Sequence, residues 1–407
     1  MSDFLIRTVD FGQGERLPLL VRKSTQIGIF EVASFALQMR SNFLEVKTID
    51  SAVRAIQLLY EVLDEEKIDL FERAENSELL RESEIKNVTD RCKIRKSAIA
   101  KLAEGVTPIA RARLKKRKFT IAKSDAVLPK TAVIKLNYIH QFLSSFSDYV
   151  LLQKIPKDPA EFREASRLTL RVLKKNKPTN HRVSKKRGLT REAEKLLFEV
   201  TDPNFSGNPW KTVFLRQRNY LILQLLNGLG LRKGELLSVK LEDINFRASR
   251  IFIPKRPDDE DDKRGRQAKS KTMARELPLT DGMVQLLMHY IDKVRATTKR
   301  AKYHPFLIVA DTGDALALNS IDNLFLNIRQ AYPEFVQLHA HILRHTINDR
   351  LAELYNNADP GLKQQVTNYL MGWSADSKMV ENYTKGYVEE QGKGALLSLQ
   401  NKIFKIT

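Results

Sequence analysis

Residues 171–187 read RVLKKNKPTNHRVSKKR: eight Lys or Arg, no acidic residue, and Pro178 in their midst. Such a run resists burial, because each cation taken inside needs a partner and the run holds none. Pro178 also works against a helix passing straight through. The chain is therefore expected to divide here. Its 407 residues suffice for two ordinary domains with separate cores. The expected boundaries are 1–178 for a helical first domain, 179–188 for a basic linker and 189–407 for the second domain.

In the first part, FLIRTVDFGQGERLPLLVR (4–22) sets two strand-like runs around Gly12-Gln13-Gly14 and reads as a small hairpin, at its simplest an N-terminal flap. FEVASFALQMR and TIDSAVRAIQLLYEVLDEE are helical in pattern. Thr48 is a candidate cap, and Val53, Ile56, Leu59, Tyr60 and Leu63 form one apolar face. A further helix, TAVIKLNYIHQFLSSFSDYVLL, carries Ile134, Tyr138, Phe142 and Phe146 as core positions. Residues 91–118 hold eleven Lys or Arg against Glu104 alone; with Ile, Ala and Leu interleaved, they read as a surface that lies on phosphates, Lys115, Lys116, Arg117 and Lys118 among them.

After Gly188, Thr190 is placed to cap LTREAEKLLFEVT, with Glu192 and Glu194 in the first turn. TVFLRQRNYLILQLLNGLG is a helix ended at Gly228, and INFRASRIFIP and ARELPLT read as strands flanking a long polar loop. Helices return at 281–297, 319–331 and 341–356. The fold class expected is mostly α with a small antiparallel β-sheet.

Lys and Arg number 69 against 49 acidic residues, a net charge of +20. That excess points to a polyanion, nucleic acid first. Cys92 is the sole cysteine, which excludes an intramolecular disulfide and a cysteine-based zinc site. Neither a signal peptide nor a run of eighteen apolar residues is present, so a soluble protein of the cytoplasm is expected, with no membrane partner.

The chemistry concentrates near the end of the chain. His341 and Arg344 lie three apart in helical pattern and share one face. Earlier, Arg232 follows a Gly-Leu-Gly turn, with Glu235 one turn later to hold its guanidinium. Two guanidiniums can grip one phosphate, each a planar fork that stays charged. His341 adds a donor or proton relay, and Trp373 an N–H that donates only. Tyr383 supplies a phenol that could act as nucleophile, with Tyr355, Tyr369 and Tyr387 as rivals. His339, His341 and His345 tempt a metal reading, but no carboxylate neighbours them in the run and Arg344 would repel a cation, so no metal is assigned.

GLRKGELLSVKLEDI, HILRHT and MGWSADSKMVENYTK resemble, in order, the three signature blocks of the tyrosine recombinase (phage integrase) family. The likeness covers roughly the C-terminal half. It implies an N-terminal helical domain that binds the core site and a catalytic domain, closing on duplex DNA as a clamp. The basic linker, with Lys185, Lys186 and Arg187, would run along the backbone. Arg232, Arg344 and His341 would then hold the scissile phosphate, Glu235 and His345 would support them, and Trp373 stands where most members place a His. Asn382-Tyr383-Thr384 matches the element that bears the nucleophile, one residue farther from Trp373 than in many members. Lys271, with Lys269 as alternate, sits on the strand-to-strand turn that carries the family's catalytic lysine. The acidic cluster Asp258–Asp262 just before it is expected either to shield the basic loop or to be solvated.

The resemblance further implies a site-specific recombinase acting through a covalent 3′-phosphotyrosyl link, with no ATP, metal or other cofactor. Its partners would be double-stranded recombination sites, a homotetramer on two of them and accessory DNA-bending proteins, in a prokaryotic cytoplasm and on the nucleoid when bound. The tail, with Leu396, Leu399 and Ile403 at helical spacing and Phe404 beside them, is expected as a short helix that either folds back on its own domain or, as the resemblance implies, passes to a neighbouring subunit. Integration and excision of a mobile element is the role expected first, and a chromosome-dimer resolving recombinase second. A type IB topoisomerase shares the chemistry on one duplex. A DNA-binding relative without activity is the non-enzyme alternative, disfavoured by the intact Arg, His and Tyr set.

Overall fold

The structure is a computed structural model, and it describes residues 3–11, 15–42, 45–95, 98, 125–179, 188–256, 259–270, 272–355, 359–380 and 396. The chain forms two compact units, Met1–Arg182 and Val183–Thr407. Mostly helical secondary structure with small antiparallel sheets is the class expected from the sequence.

The first unit opens with an antiparallel hairpin, β1 (Phe4–Asp10) and β2 (Arg16–Arg22), in a register that runs from Phe4 opposite Arg22 to Asp10 opposite Arg16. It is no flap. Phe4, Leu17 and Leu20 are buried in the same core as the helices. Helices α1 (Phe30–Ser41), α2 (Val46–Glu66), α3 (Leu70–Glu75), α4 (Glu82–Lys93), α5 (Pro129–Leu152) and α6 (Pro159–Lys175) follow. α2 is the hub: Val53, Ile56, Leu59, Tyr60 and Leu63 are all buried, and it meets α1, α4, α5 and both strands. Thr48 lies inside α2, whose N-cap is Glu45, so the helix begins earlier than the candidate cap. On α5, Phe142 and Phe146 are buried, Tyr138 is half-buried and Ile134 is exposed, so the apolar stripe is narrower than the spacing implied.

α6 starts at Pro159, with Asp158 accepting from the Ala160 and Glu161 N–H groups, and runs through Arg171 to Lys175 with Leu173 fully buried. The basic stretch thus begins as the last turn of a helix, where cations face the negative end of the helix dipole. Cys92, on α4, is buried, and burial pushes its thiol up to about 12. It packs as a small apolar residue.

The second unit comprises α7 (Arg191–Val200), α8 (Val213–Gly228), α9 (Lys233–Ser238), strands β3 (Ile244–Asn245), β4 (Arg250–Ile253) and β5 (Arg275–Pro278), then α10 (Asp281–His289), α11 (Leu318–Ala331), α12 (Ala340–Leu354) and α13 (Pro360–Met371). Thr190 caps α7 as expected, accepting from the Ala193 N–H. α10 continues through a π turn at Tyr290–Val294 and a 3-10 turn at Arg295–Thr297, so one sequence run becomes three local geometries. The three strands are antiparallel in the order β3-β4-β5. α8, with five fully buried Ile and Leu side chains, lies against α12. Among the described residues, no helix is long and apolar enough to cross a membrane.

Candidate active site

α12 carries His341, Arg344 and His345, and it is strapped from the start of the unit. Gly188 N–H donates to Asp349 Oδ2 at 3.0 Å, Leu189 N–H to Thr346 Oγ1 at 2.8 Å, and Arg350 Nη2 to the Leu189 carbonyl and Glu194. A Cβ at Gly188 would stand 2.5 Å from Thr346 Cα, so this close approach needs glycine. His341 is half-buried and His345 buried, their rings edge to face at 5.0 Å, as i and i+4 spacing dictates.

Arg344 is fully buried. Its Nη1 donates to the Gly230 carbonyl at 2.5 Å and its Nη2 to the Met371 carbonyl at 2.6 Å, and the guanidinium stacks 5.4 Å from the Trp373 ring. Gly230 has φ 61°, and a Cβ there would meet Ile347 Cγ2 at 2.8 Å and Met371 Cε at 2.9 Å. Left-handed backbone and crowding together explain the glycine-punctuated turn before Arg232. Trp373 follows a second left-handed glycine, Gly372 at φ 63°, which ends α13, and it packs with Met371, Ile347 and Leu351.

Arg232 precedes α9, and Glu235 reaches back to it twice: Oε2 accepts from the Arg232 backbone N–H and Oε1 from Nη1, each at 3.1 Å. Glu235 has no exposed surface, and its carboxylate is the centre of the site. It also accepts from Thr272 Oγ1 at 2.6 Å and Arg275 Nη2 at 3.0 Å, with Arg344 Nη1 at 3.7 Å. Burial pushes the Glu235 carboxyl up, but Arg275, Arg344, Thr272 and Arg232 outweigh it and hold it below the usual carboxylate range. One carboxylate facing three guanidiniums leaves an excess of positive charge in a largely dry place, which is the electrostatics of an anion site.

The loop between β4 and β5 is anchored. Asp262, almost fully buried, accepts from Arg264 Nε at 2.7 Å and from the Ala268 N–H at 2.9 Å, while Arg264 donates to the carbonyls of Leu237 and Leu316. Asp259 and Asp261 pair with Lys240 at 3.0 and 2.6 Å. Asp259, Asp261 and Asp262 of the acidic cluster thus staple the loop to the protein, Glu260 is exposed, and Asp258 lies outside the described residues. Lys269 is half-buried, and its carbonyl would stand 2.5 Å from a Cβ on Gly234. Ser270 and Thr272, either side of position 271, are buried and share a 2.8 Å hydrogen bond.

The structure thus brings together Arg232, Glu235, Arg344 and Trp373, with His341 and His345 on the helix that carries Arg344 and Lys269 close to the turn at α9. Lys271, Tyr383, Tyr387, Lys115, Lys116, Arg117, Lys118, Lys185, Lys186, Arg187 and, apart from Leu396, the tail lie outside the described residues. Of the rival tyrosines, Tyr369 is engaged through its hydroxyl, which donates to the Glu276 carbonyl at 2.9 Å. The sequence motifs single out neither Thr272 nor Arg275. A signal was there: in β5, Leu277 faces inward, so a period of two turns Arg275 inward as well, and an inward arginine needs a buried partner.

A family model described as the phage integrase family matches residues 204–390. No curated protein matches the chain. Among solved structures, the chain is similar to XerA recombinase (14% identity, 90% of this chain and 97% of that one, TM-score 0.37). It is also similar to the Tn1549 transposon integrase in complex with circular intermediate DNA (17%, 72% and 97%, TM-score 0.41). A third is XerH site-specific recombinase bound to difH substrate (17%, 77% and 83%, TM-score 0.38).

Proposed function

Residues 204–390 place the second unit in the phage integrase family of tyrosine recombinases, and from that premise we propose that this enzyme cleaves and rejoins DNA through a covalent 3′-phosphotyrosyl intermediate in the integration and excision of a mobile element. The observation that carries the reading is the Glu235 centre, where one buried carboxylate orders three guanidiniums at the meeting point of the sequence motifs. Extra positive charge fixed in advance stabilises a phosphate as its charge concentrates in the transition state.

In this reading Tyr383 Oη attacks the scissile phosphorus and gives up its proton to His341 or water. The bond from phosphorus to the 5′ oxygen breaks, and that oxygen takes a proton from Lys271. Arg232 and Arg344 hold the nonbridging oxygens, each through the planar fork of a guanidinium that stays charged. Attack by the 5′ hydroxyl of a partner strand reverses the step and releases the tyrosine. One phosphodiester is exchanged for another, so no external energy source enters. His345 supports from beneath His341, and the indole N–H of Trp373 adds a donor.

The test uses duplexes that the full-length protein itself selects from a random-sequence pool. After denaturation, a protein–DNA adduct is expected with the wild type and is absent with Tyr383→Phe. Selected duplexes that bind tightly yet never yield an adduct would refute the covalent mechanism.

A further inference from the structure

The proposed reaction leaves unexplained why a third arginine is buried against Glu235. Arg275 opens β5 with its side chain only 1% exposed, and each part of its guanidinium has a separate task. Nη2 donates to Glu235 Oε2 at 3.0 Å, and Nε donates to the Leu370 carbonyl at 2.7 Å, in the last turn of α13. Nη1 lies 3.4 Å from Thr272 Oγ1, and it is so close to Gly372 that a Cβ there would stand 2.5 Å away. Thr272 Oγ1 in turn donates to Glu235 Oε1. The contacts join β5 and its preceding loop to the carboxylate that aims Arg232 and to the turn that leads into Trp373.

We propose that Arg275 is a positioning residue of the strand-exchange centre, fixing the Glu235 carboxylate behind Arg232 and tying it to the turn that carries Trp373. The inference rests on the reading of the site given above. A carboxylate with one oxygen on Thr272 and Arg232 and the other on Arg275 and the Arg232 backbone cannot rotate without breaking a bond on each side. Arg232, which is part-exposed, is thereby aimed by a residue whose own side chain is almost fully buried. The fork matters as well as the charge, since lysine has no planar set of donors to serve carboxylate and carbonyl at once.

Glu235 is faced by Arg232 from the turn before α9, by Arg344 from α12, and by Arg275 and the neutral Thr272 from β5 and its approach. Removing Arg275 takes away the foremost of the groups that hold the carboxyl below its usual range. Glu235 then keeps its proton to higher pH, and the acid limb of cleavage moves upward. A role confined to packing leaves that limb in place.

The experiment compares full-length wild type, Arg275→Met, Arg275→Lys, Glu235→Gln and the Met/Gln double variant on one self-selected duplex. It reads DNA affinity, rate of adduct formation, its pH profile and cooperative melting. Arg275→Met is expected to bind DNA nearly as the wild type does and to form adduct about 100-fold more slowly, the scale of a small misplacement of reacting groups. Its acid limb should lie at higher pH, and the double variant should be no slower than the slower single variant. A folded Arg275→Met with the wild-type rate and pH profile, or losses that multiply in the double variant, overturns the proposal. Should Arg275→Met fail to melt cooperatively, Arg275→Lys decides: slower adduct formation with an acid limb at higher pH supports the role, and the wild-type rate or an unmoved limb overturns it. Wild-type protein that forms no adduct sinks the reading of function and the inference with it, a result distinct from an active wild type with an indifferent Arg275.

Discussion

Glu235 shows how one residue can set the pH response of a whole site. Its carboxyl is held below the usual range by three guanidiniums and a hydroxyl despite burial. For a depressed carboxyl the stabilisation is fully present above the unfolded value of about 4.3 and is lost as pH falls through the lower folded value. Glu235→Gln should therefore flatten the acid arm of the stability curve; near neutral pH it should cost about 3–5 kcal/mol, the scale for stranding buried charges by removing their partner. Denaturant unfolding at pH 7 and along the acid arm checks both, and an unchanged arm would show that Glu235 does not govern it. Tyr383→Phe is the complementary change, expected to keep DNA affinity while abolishing the adduct; if Tyr387→Phe does so instead, the nucleophile is four residues farther on. The arginines and histidine were legible as residue types at helical spacing, because a turn of helix fixes which side chains share a face. Thr272 and Arg275 were not, since their value lies in partners 37, 40 and 95 residues away in sequence.

At the scale of elements, sequence pattern read the helices well and the loop before β5 poorly. An amphipathic stripe announces a helix whatever it packs against, and Thr190 and the two glycine-led turns declare their geometry locally. The loop gave no such sign. Its order comes from Arg264 reaching the carbonyls of Leu237 and Leu316, 27 and 52 residues away, and from Asp262 accepting the Ala268 N–H. On paper those residues look like any solvated charge run. The hairpin was undervalued for a similar reason, since Phe4 and Leu20 meet their partners only once α2 is in place. Gly234 offers a way to move the loop alone. An added methyl would stand 2.5 Å from the Lys269 carbonyl, a backbone atom that cannot rotate aside. In an exposed helix interior, Gly→Ala gains up to about 1 kcal/mol. Here the clash should outweigh that gain and shift the segment bearing Lys269 and Lys271. Gly234→Ala is expected to retain DNA binding and slow cleavage about tenfold to 100-fold if the lysine is the general acid. A duplex with sulfur in place of the scissile 5′ oxygen should recover most of the rate, because a thiolate leaves without a proton. Equal slowing on both duplexes would place the damage elsewhere.

Over the whole molecule, two cores of separate membership matter most. Every residue of the larger core in the first unit lies between Phe4 and Leu173, and every residue of its counterpart in the second between Leu197 and Leu343. A unit that buries its own apolar residues can fold by itself, so residues 183–407 made alone should melt cooperatively. The proposed clamp then makes a prediction about binding that neither core could make. When a protein neutralises phosphates it releases counterions, and the logarithm of affinity falls with the logarithm of salt at a slope of about −0.9 per phosphate neutralised. With 69 Lys and Arg against 49 acids in the full chain, many phosphates are within its means. If the first unit and the basic stretches lie along the duplex, full-length protein should show a steep slope and residues 183–407 a distinctly shallower one, with lower affinity at every salt concentration. Fluorescence anisotropy on one self-selected duplex between 50 and 200 mM salt, roughly the range over which such contacts separate clearly, measures both. Equal slopes for the two proteins would mean that the second unit alone makes the backbone contacts, and that the first unit serves something other than a grip on the same DNA.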